Sequence, residues 1–240
     1  MRVHVAFTPA EEVSAPLGIV VDVLRATSTI VQALAHGYQR VLCCQEVEEA
    51  RGLAAGLDGA RLAGERKTVR IEGFDFGNSP AEIRSAPPAE TLVLTTTNGT
   101  KLLLAAAARC ETVLVGSLLN LSAVARAAHG ADEVVVMCAG VLGELTIDDA
   151  YCAGRIAEAI GGEHHDSAAA AIRLAQSFDS SFDGLSASQS ARNLHGSGLQ
   201  ADIDDCARES VLDVVPRFTR MVGPAAEVVL AGASEPAEQR

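Results

Sequence analysis

Apolar and polar positions along this chain fall into blocks that switch between strand-like and helix-like periods. Arg2 to Phe7 alternates weakly and suits a short edge strand. Leu17 to Val23 is apolar except for Asp22, the pattern of a buried strand with an acid near its carboxyl end. Thr27 or Ser28 can then cap a helix running to about His36, and Gly37 supplies its stop. Arg40 to Cys44 predicts the next strand, and Glu46 to Leu57 a helix with acids in its first turn. Strands follow at Thr91 to Thr95, Thr112 to Val115 and Glu133 to Cys138. They alternate with helices at Lys101 to Ala108, Leu121 to His129 and Asp148 to Ile160.

Such alternation predicts an α/β fold, a three-layer α/β/α sandwich with a mostly parallel or mixed sheet. The stretches Arg25–Ser28 and Thr97–Thr100 each open a similar strand–helix succession, consistent with an internal β-α-β-α duplication. After Gly162 the pattern weakens. Ser167 to Ser177 reads as a helix, and Asp179 to Gly198 as a polar, loop-like segment with one short helix. Asp202 to Glu209 reads as helical and Val211 to Arg217 as a short strand. A single domain over residues 1–234, with a frayed tail from 235 to 240, is the expected organisation.

One stretch breaks the pattern. Gly64 to Glu82 is rich in charge and glycine and ends in an Asn78-Ser79-Pro80 turn, so it reads as a long functional crossover loop. Composition narrows what it could do. The net charge of −12 argues against a nucleic-acid surface, whereas a few arginines and helix N-termini can still hold a small anion. The six cysteines form no Cys-x-x-Cys pair and read as buried, reduced thiols. No signal pattern opens the chain, and no apolar run approaches the ~20 residues that span a bilayer, so a cytoplasmic protein without a membrane partner is expected.

Ligands of open α/β sheets bind beyond the carboxyl ends of the strands. Polar clusters fall there at Asp22–Ser28, Thr95–Thr100, Gly116–Asn120 and Ala139–Asp149. Each alone could be an ordinary helix cap; together with the Gly64–Glu82 loop they point to one site. Asp22, Glu65, Asp75, Glu144, Asp148 and Asp149 form an oxygen-rich inventory without matching histidines, which favours Mg²⁺ over zinc. Arg25 and Arg66 suit bidentate anion recognition, and phosphoryl chemistry is the reading these groups share. His164-His165-Asp166 reads as a surface turn.

The succession Val21–Ser28, Gly64-Glu65-Arg66, Gly73–Glu82, Thr95–Thr100, Gly116–Asn120 and Ala139-Gly140 through Gly143-Glu144 to Asp148-Asp149 resembles the 2-phosphosulfolactate phosphatase (ComB) family. Order and spacing agree over roughly residues 15–155. The resemblance implies a Mg²⁺-dependent acid phosphatase that releases sulfolactate and phosphate from 2-phospho-3-sulfolactate, a step of coenzyme M biosynthesis. It implies catalytic roles for Asp22, Asp75, Arg25 and Arg66, and substrate contacts from Asn78, Thr97, Asn98, Gly99 and Thr100. It implies metal contacts from Glu65, Glu144, Asp148 and Asp149, although spacing does not rank the acids by role. A small anionic substrate is the expected partner, and homo-oligomeric assembly stays open. The alternatives are a phosphatase of another small phosphorylated hydroxy acid and a non-catalytic anion-binding protein.

Overall fold

The computed structural model describes residues 1–232. β1 (Arg2–Ala6) and β2 (Ala15–Val21) lead through α1 (Ala26–His36), β3 (Arg40–Cys44) and α2 (Val47–Ala55) to β4 (Arg61–Arg66) and β5 (Val69–Arg70). Next come α3 (Pro80–Ser85), β6 (Thr91–Thr95), α4 (Gly99–Ala107) and β7 (Cys110–Gly116). A 3-10 turn at Leu118–Asn120 then runs into α5 (Leu121–Ala128), β8 (Glu133–Cys138) and α6 (Ile147–Ile160). The last third holds β9 (Glu163–His164), α7 (Asp166–Gln176), α8 (Ser181–Ser186) and α9 (Gln189–Gly196). It closes with α10 (Ala201–Cys206) and the hairpin β10 (Pro216–Val222)–β11 (Ala225–Leu230).

Local chemistry sets many of these boundaries. Gly37 ends α1 at φ 116°, a left-handed conformation in which its N–H reaches the Ala33 and Leu34 carbonyls. Glu46 and Glu49 close a reciprocal capping box on α2. Ser79 caps α3 by accepting from the Glu82 amide, with Pro80 in the first turn. The start of α1 differs from expectation. It begins at Ala26, because Thr27 Oγ1 accepts from the Asp22 amide at 3.2 Å and Ser28 Oγ donates to the Val23 carbonyl at 2.8 Å. Both hydroxyls stitch the helix to the strand it follows, and neither caps it.

All eleven strands join one sheet in the order β5-β4-β6-β3-β11-β10-β7-β2-β8-β1-β9. β4, β6 and β3 are mutually parallel, and so are β7, β2, β8 and β1. Three successive antiparallel pairings, β7–β10, β10–β11 and β11–β3, separate the two blocks. The blocks therefore run in opposite senses along the sheet, which is mixed.

The order has a symmetry. β2-α1-β3-α2-β4 maps onto β6-α4-β7-α5-β8 as if by a twofold axis through the β10–β11 seam. The expected duplication thus extends to a further strand. α1 and α4 pack in one core on the same face, with Ile30, Val31 and Leu34 beside Leu102, Leu103 and Ala106. The opposite face carries α2 through Ala50, and α5, α6 and α7 through Val124, Ile156 and Ala171. These helix layers enclose the sheet as a three-layer sandwich.

Three expectations change here. The Gly64–Glu82 stretch is not one long loop: its first residues complete β4, Val69–Arg70 returns as β5, and α3 begins at Pro80. The strand expected at Val211 to Arg217 lies at Pro216–Val222, and its partner β11 was not foreseen. Asp179 to Gly198 holds two helices, not one. The expected tail at 235–240 lies outside the described residues.

Candidate active site

Four strand ends, two from each block, meet at one place. β2 delivers Asp22, β8 leads to Gly140, β4 carries Glu65 as its last residue but one, and β6 runs into Thr96–Gly99. Sheet twist accounts for the meeting: at roughly 20–25° per neighbouring pair, about 100° accumulates over the five steps from β2 to β6.

Asp22 is buried. Its Oδ1 accepts from the Ala26 amide at 3.3 Å, and its Oδ2 faces the start of α4. A β-carbon at Gly99 would lie 3.0 Å from that oxygen and 2.5 Å from Ala26 Cβ, so only glycine lets the two helix starts approach this closely. Burial pushes the Asp22 carboxyl up to about 7; the Asp148 and Glu65 charges add to the rise, and the Ala26 amide and Arg25 oppose it.

Asp148 and Asp149 occupy the first turn of α6 and are both buried. Asp149 is fully engaged, accepting from the Val23 amide at 2.9 Å and the Gly140 amide at 3.0 Å, so it ties the β2 and β8 ends together. Burial, then Asp148 and Asp22, holds its carboxyl well above the ordinary range. Asp148 differs: its Oδ1 is buried without a hydrogen-bond partner. Burial raises its pKa, with the Ser190 and Thr146 side chains and local amides opposing. Three neighbouring buried carboxylates do not all ionise at neutral pH, so the cluster retains protons.

Glu65 closes the site from the other block. Its Oε1 accepts from Thr97 N at 3.0 Å and Thr97 Oγ1 at 2.9 Å, and its Oε2 from Thr68 N at 2.8 Å. Register pairs Glu65 with Arg70 and Arg66 with Val69, leaving Lys67-Thr68 as a two-residue hairpin tip. Both tip residues have positive φ, 53° and 68°, where Asn-Gly is the usual pair. Each non-glycine residue in that region costs roughly 1 kcal/mol. The tip is fastened by a short hydrogen bond between the Thr68 and Ser197 hydroxyls.

A cleft of about 610 Å³ lies next to this cluster, lined by its neighbours Leu24, Arg25 and Glu65 and not by the three aspartates. Arg25, Glu65, Asn78, Thr97 and Asn98 line it, and so do Lys67, Ser190 and Arg192. Arg25 is buried and ion-paired with Asp202, which also accepts from Ser79 Oγ at 2.6 Å. Asp202, Lys67 and Arg192 were not expected from the sequence. The α9 residues lay in a segment without apolar periodicity, and no linear motif marks an ion-pair partner 177 positions away.

Other expected residues stand elsewhere. Asp75 pairs with Arg61 at 2.9 Å and accepts from the Leu62 amide at 2.8 Å. The Ala63–Phe76 bridge runs this segment parallel to β4, so Asp75 sits beside the start of the strand and Glu65 at its end. Arg66 turns away because successive strand residues alternate faces; it donates to the Gln45 carbonyl at 2.7 Å and Thr95 Oγ1 at 3.0 Å. Glu144 is exposed on the loop after β8, where only its backbone is bonded, to Val141. Thr100 is buried in the first turn of α4, a helix whose Asn98 cap makes no side-chain hydrogen bond. The amides of that turn have no intrahelical partner and suit an anion.

The four expected metal ligands therefore do not converge. Among the described residues no three His, Cys, Asp or Glu side chains are grouped to hold a metal ion. The site still fits Mg²⁺, which commonly takes one or two carboxylates and fills its remaining positions with water and phosphate oxygens. Asp148 Oδ1, Thr96 Oγ1 and Asn78 Oδ1 are all buried without partners, and all are hard oxygens.

The sequence model of the family described as 2-phosphosulpholactate phosphatase matches residues 4–221. The chain belongs to the 2-phosphosulfolactate phosphatase family. It is 38% identical over 219 residues to the 2-phosphosulfolactate phosphatase of Methanothermobacter thermautotrophicus, covering 91% of this chain and 92% of the relative. It is 37% identical over 233 residues to a protein of Thermus thermophilus named probable 2-phosphosulfolactate phosphatase, covering 94% and 98%. A Thermotoga petrophila protein of the same name is 35% identical over 223 residues, covering 92% and 96%. All six motifs that carried the resemblance lie within the matched residues.

Proposed function

We propose that this chain is a phosphoric monoester hydrolase that converts 2-phosphosulfolactate to sulfolactate and phosphate at the Asp22 cleft. The observation that carries the reading is Asp22 itself: a buried carboxyl with its pKa near 7, facing the uncapped start of α4, in a chain of this family. The amides of Gly99 and Thr100 and the Arg25 guanidinium receive the phosphoryl oxygens. Water supplies the new oxygen on phosphorus as the bond to the substrate's secondary alkoxide breaks; that alkoxide is a poor leaving group, so protonating its oxygen lowers the barrier. With its pKa raised to about 7, a substantial fraction of Asp22 carries that proton at neutral pH and can donate it, a role that typically contributes 10²–10⁴-fold.

Mg²⁺ would be held by Asp148, through its unpartnered Oδ1, and by Glu65; when bound it supplies charge neutralisation at the phosphoryl group. Asp149 positions both: its two amide contacts fix the loops that carry Asp22 and the start of α6. The substrate bears phosphate, carboxylate and sulfonate, and the cleft answers with cations and amides. No helix among the described residues is long and apolar enough to cross a membrane.

The test is release of inorganic phosphate from 2-phosphosulfolactate against a panel of phosphorylated hydroxy acids, with and without EDTA. We expect turnover of phosphosulfolactate that EDTA abolishes and Mg²⁺ restores. Binding without turnover in the presence of Mg²⁺ would contradict the enzyme reading, and faster turnover of another panel member would reassign the substrate.

A further inference from the structure

We propose that Lys67 and Arg192 form a second anion subsite that grips the sulfonate of the substrate, a specificity device resting on the phosphatase reading above. Three observations carry it. First, Lys67 and Arg192 line the same cleft as Arg25 and Asn98 but come from the two walls above its floor, the β4–β5 tip and α9. Second, their charges are uncompensated, unlike that of Arg25. Arg25 is neutralised by Asp202. Among the described residues Arg192 donates only to neutral acceptors, Gln189 Oε1 at 3.0 and 3.1 Å and the Ala187 carbonyl at 3.1 Å. Lys67 has no ion pair among the described residues. In a chain of net charge −12, two unpaired cations facing one cleft are a local anion sink.

Third, the tip is built at the expense of backbone comfort. A two-residue turn with both φ values positive is most easily made by Asn-Gly, yet Lys and Thr stand there at φ 53° and 68°. Their side chains explain the choice. Thr68 fastens the tip to Ser197 and, through its N–H, to Glu65. Lys67, on the tip so held, is exposed and lines the cleft two positions from Glu65. Backbone strain retained at a ligand-facing turn is the pattern of a positioned binding group. The Arg192 side chain is likewise held in place, by Gln189 and Ala187 of its own wall. Both cations line one cleft with Arg25 and Asn98, where they can meet an anion of the substrate other than its phosphate.

The experiment is steady-state kinetics of the full chain on 2-phosphosulfolactate and on 2-phospholactate, the same skeleton with hydrogen in place of the sulfonate. Variants are Lys67→Gln, Arg192→Gln, their double, and the charge-keeping pair Lys67→Arg with Arg192→Lys. Both positions are exposed, and thermal melts check that each variant folds. We expect the double variant's preference for phosphosulfolactate over phospholactate, as a ratio of kcat/KM, to fall roughly 10- to 100-fold, mainly through KM, the effect of losing charge-assisted hydrogen bonds. The charge-keeping pair should retain most of the preference. Equal losses on both substrates, or no loss on either, would overturn the subsite while leaving the phosphatase reading intact. Wild-type chain that releases no phosphate from phosphosulfolactate would overturn both.

Discussion

Asp22, Asp148 and Asp149 are buried together, and that burial has a measurable consequence. All three folded-state pKa values lie above the ordinary carboxylate value of 3.8, Asp22 at about 7. A group whose pKa is raised on folding stabilises the fold fully below its unfolded pKa. That contribution is lost as pH rises through the folded value. The metal-free protein should therefore lose stability between about pH 4 and pH 7. For Asp22 the span corresponds to roughly 4 kcal/mol at most, at about 1.4 kcal/mol per unit. In EDTA, the Tm of the wild type should fall from pH 5 to pH 8, and that of Asp22→Asn should fall less, ending level or higher at pH 8. Parallel Tm profiles for the two proteins would rule out a buried, proton-retaining Asp22. At this scale the motifs picked out residues along the chain without placing them in space. Arg25, Glu65, Asn78, Thr97 and Asn98 line the cleft. Asp75 and Glu144 do not, because a motif read along the chain cannot tell which end of β4 a returning segment will flank, nor that a loop carboxylate points to solvent.

Elements hold these residues through close backbone contacts. α6, which carries Asp148 and Asp149, packs on α7 at Gly154, where a β-carbon would stand 2.2 Å from the Ala171 carbonyl oxygen and 3.1 Å from Ala175 Cβ. The obstacle is backbone, so it cannot swing aside. Gly154→Ala should destabilise the protein by roughly 1–3 kcal/mol through overpacking, lower Tm by several degrees, and depress kcat by shifting the start of α6. An unchanged Tm would show that the helix pair has slack the structure does not. Element by element, strands with unbroken apolar runs were legible to the residue: Arg40–Cys44, Thr91–Thr95 and Glu133–Cys138. β4 was not, because Arg61-Leu-Ala-Gly-Glu-Arg66 has charged ends and a glycine where a buried strand usually shows branched side chains. That glycine is required: a β-carbon at Gly64 would sit 2.4 Å from the Thr95 carbonyl oxygen, and this close approach sets Glu65 beside Thr97.

For the whole molecule, two parallel blocks of opposite sense are joined by the β10–β11 seam, and each contributes strand ends to one site. The seam escaped the sequence reading because β10 mixes exposed and buried positions and pairs with β7 at a single register position. The duplication was visible only as two similar polar starts, Arg25–Ser28 and Thr97–Thr100, yet these are the helix entries that meet at Ala26 and Gly99. If the site is a joint product of both blocks, an acid from each should be needed. The most direct measurement is phosphate release from 2-phosphosulfolactate by the wild type, by Asp22→Asn from one block and by Glu65→Gln from the other. Each folded variant should lose about 100-fold or more in kcat/KM, with a cooperative thermal melt retained. A folded Asp22→Asn enzyme with the wild-type rate would contradict the central claim.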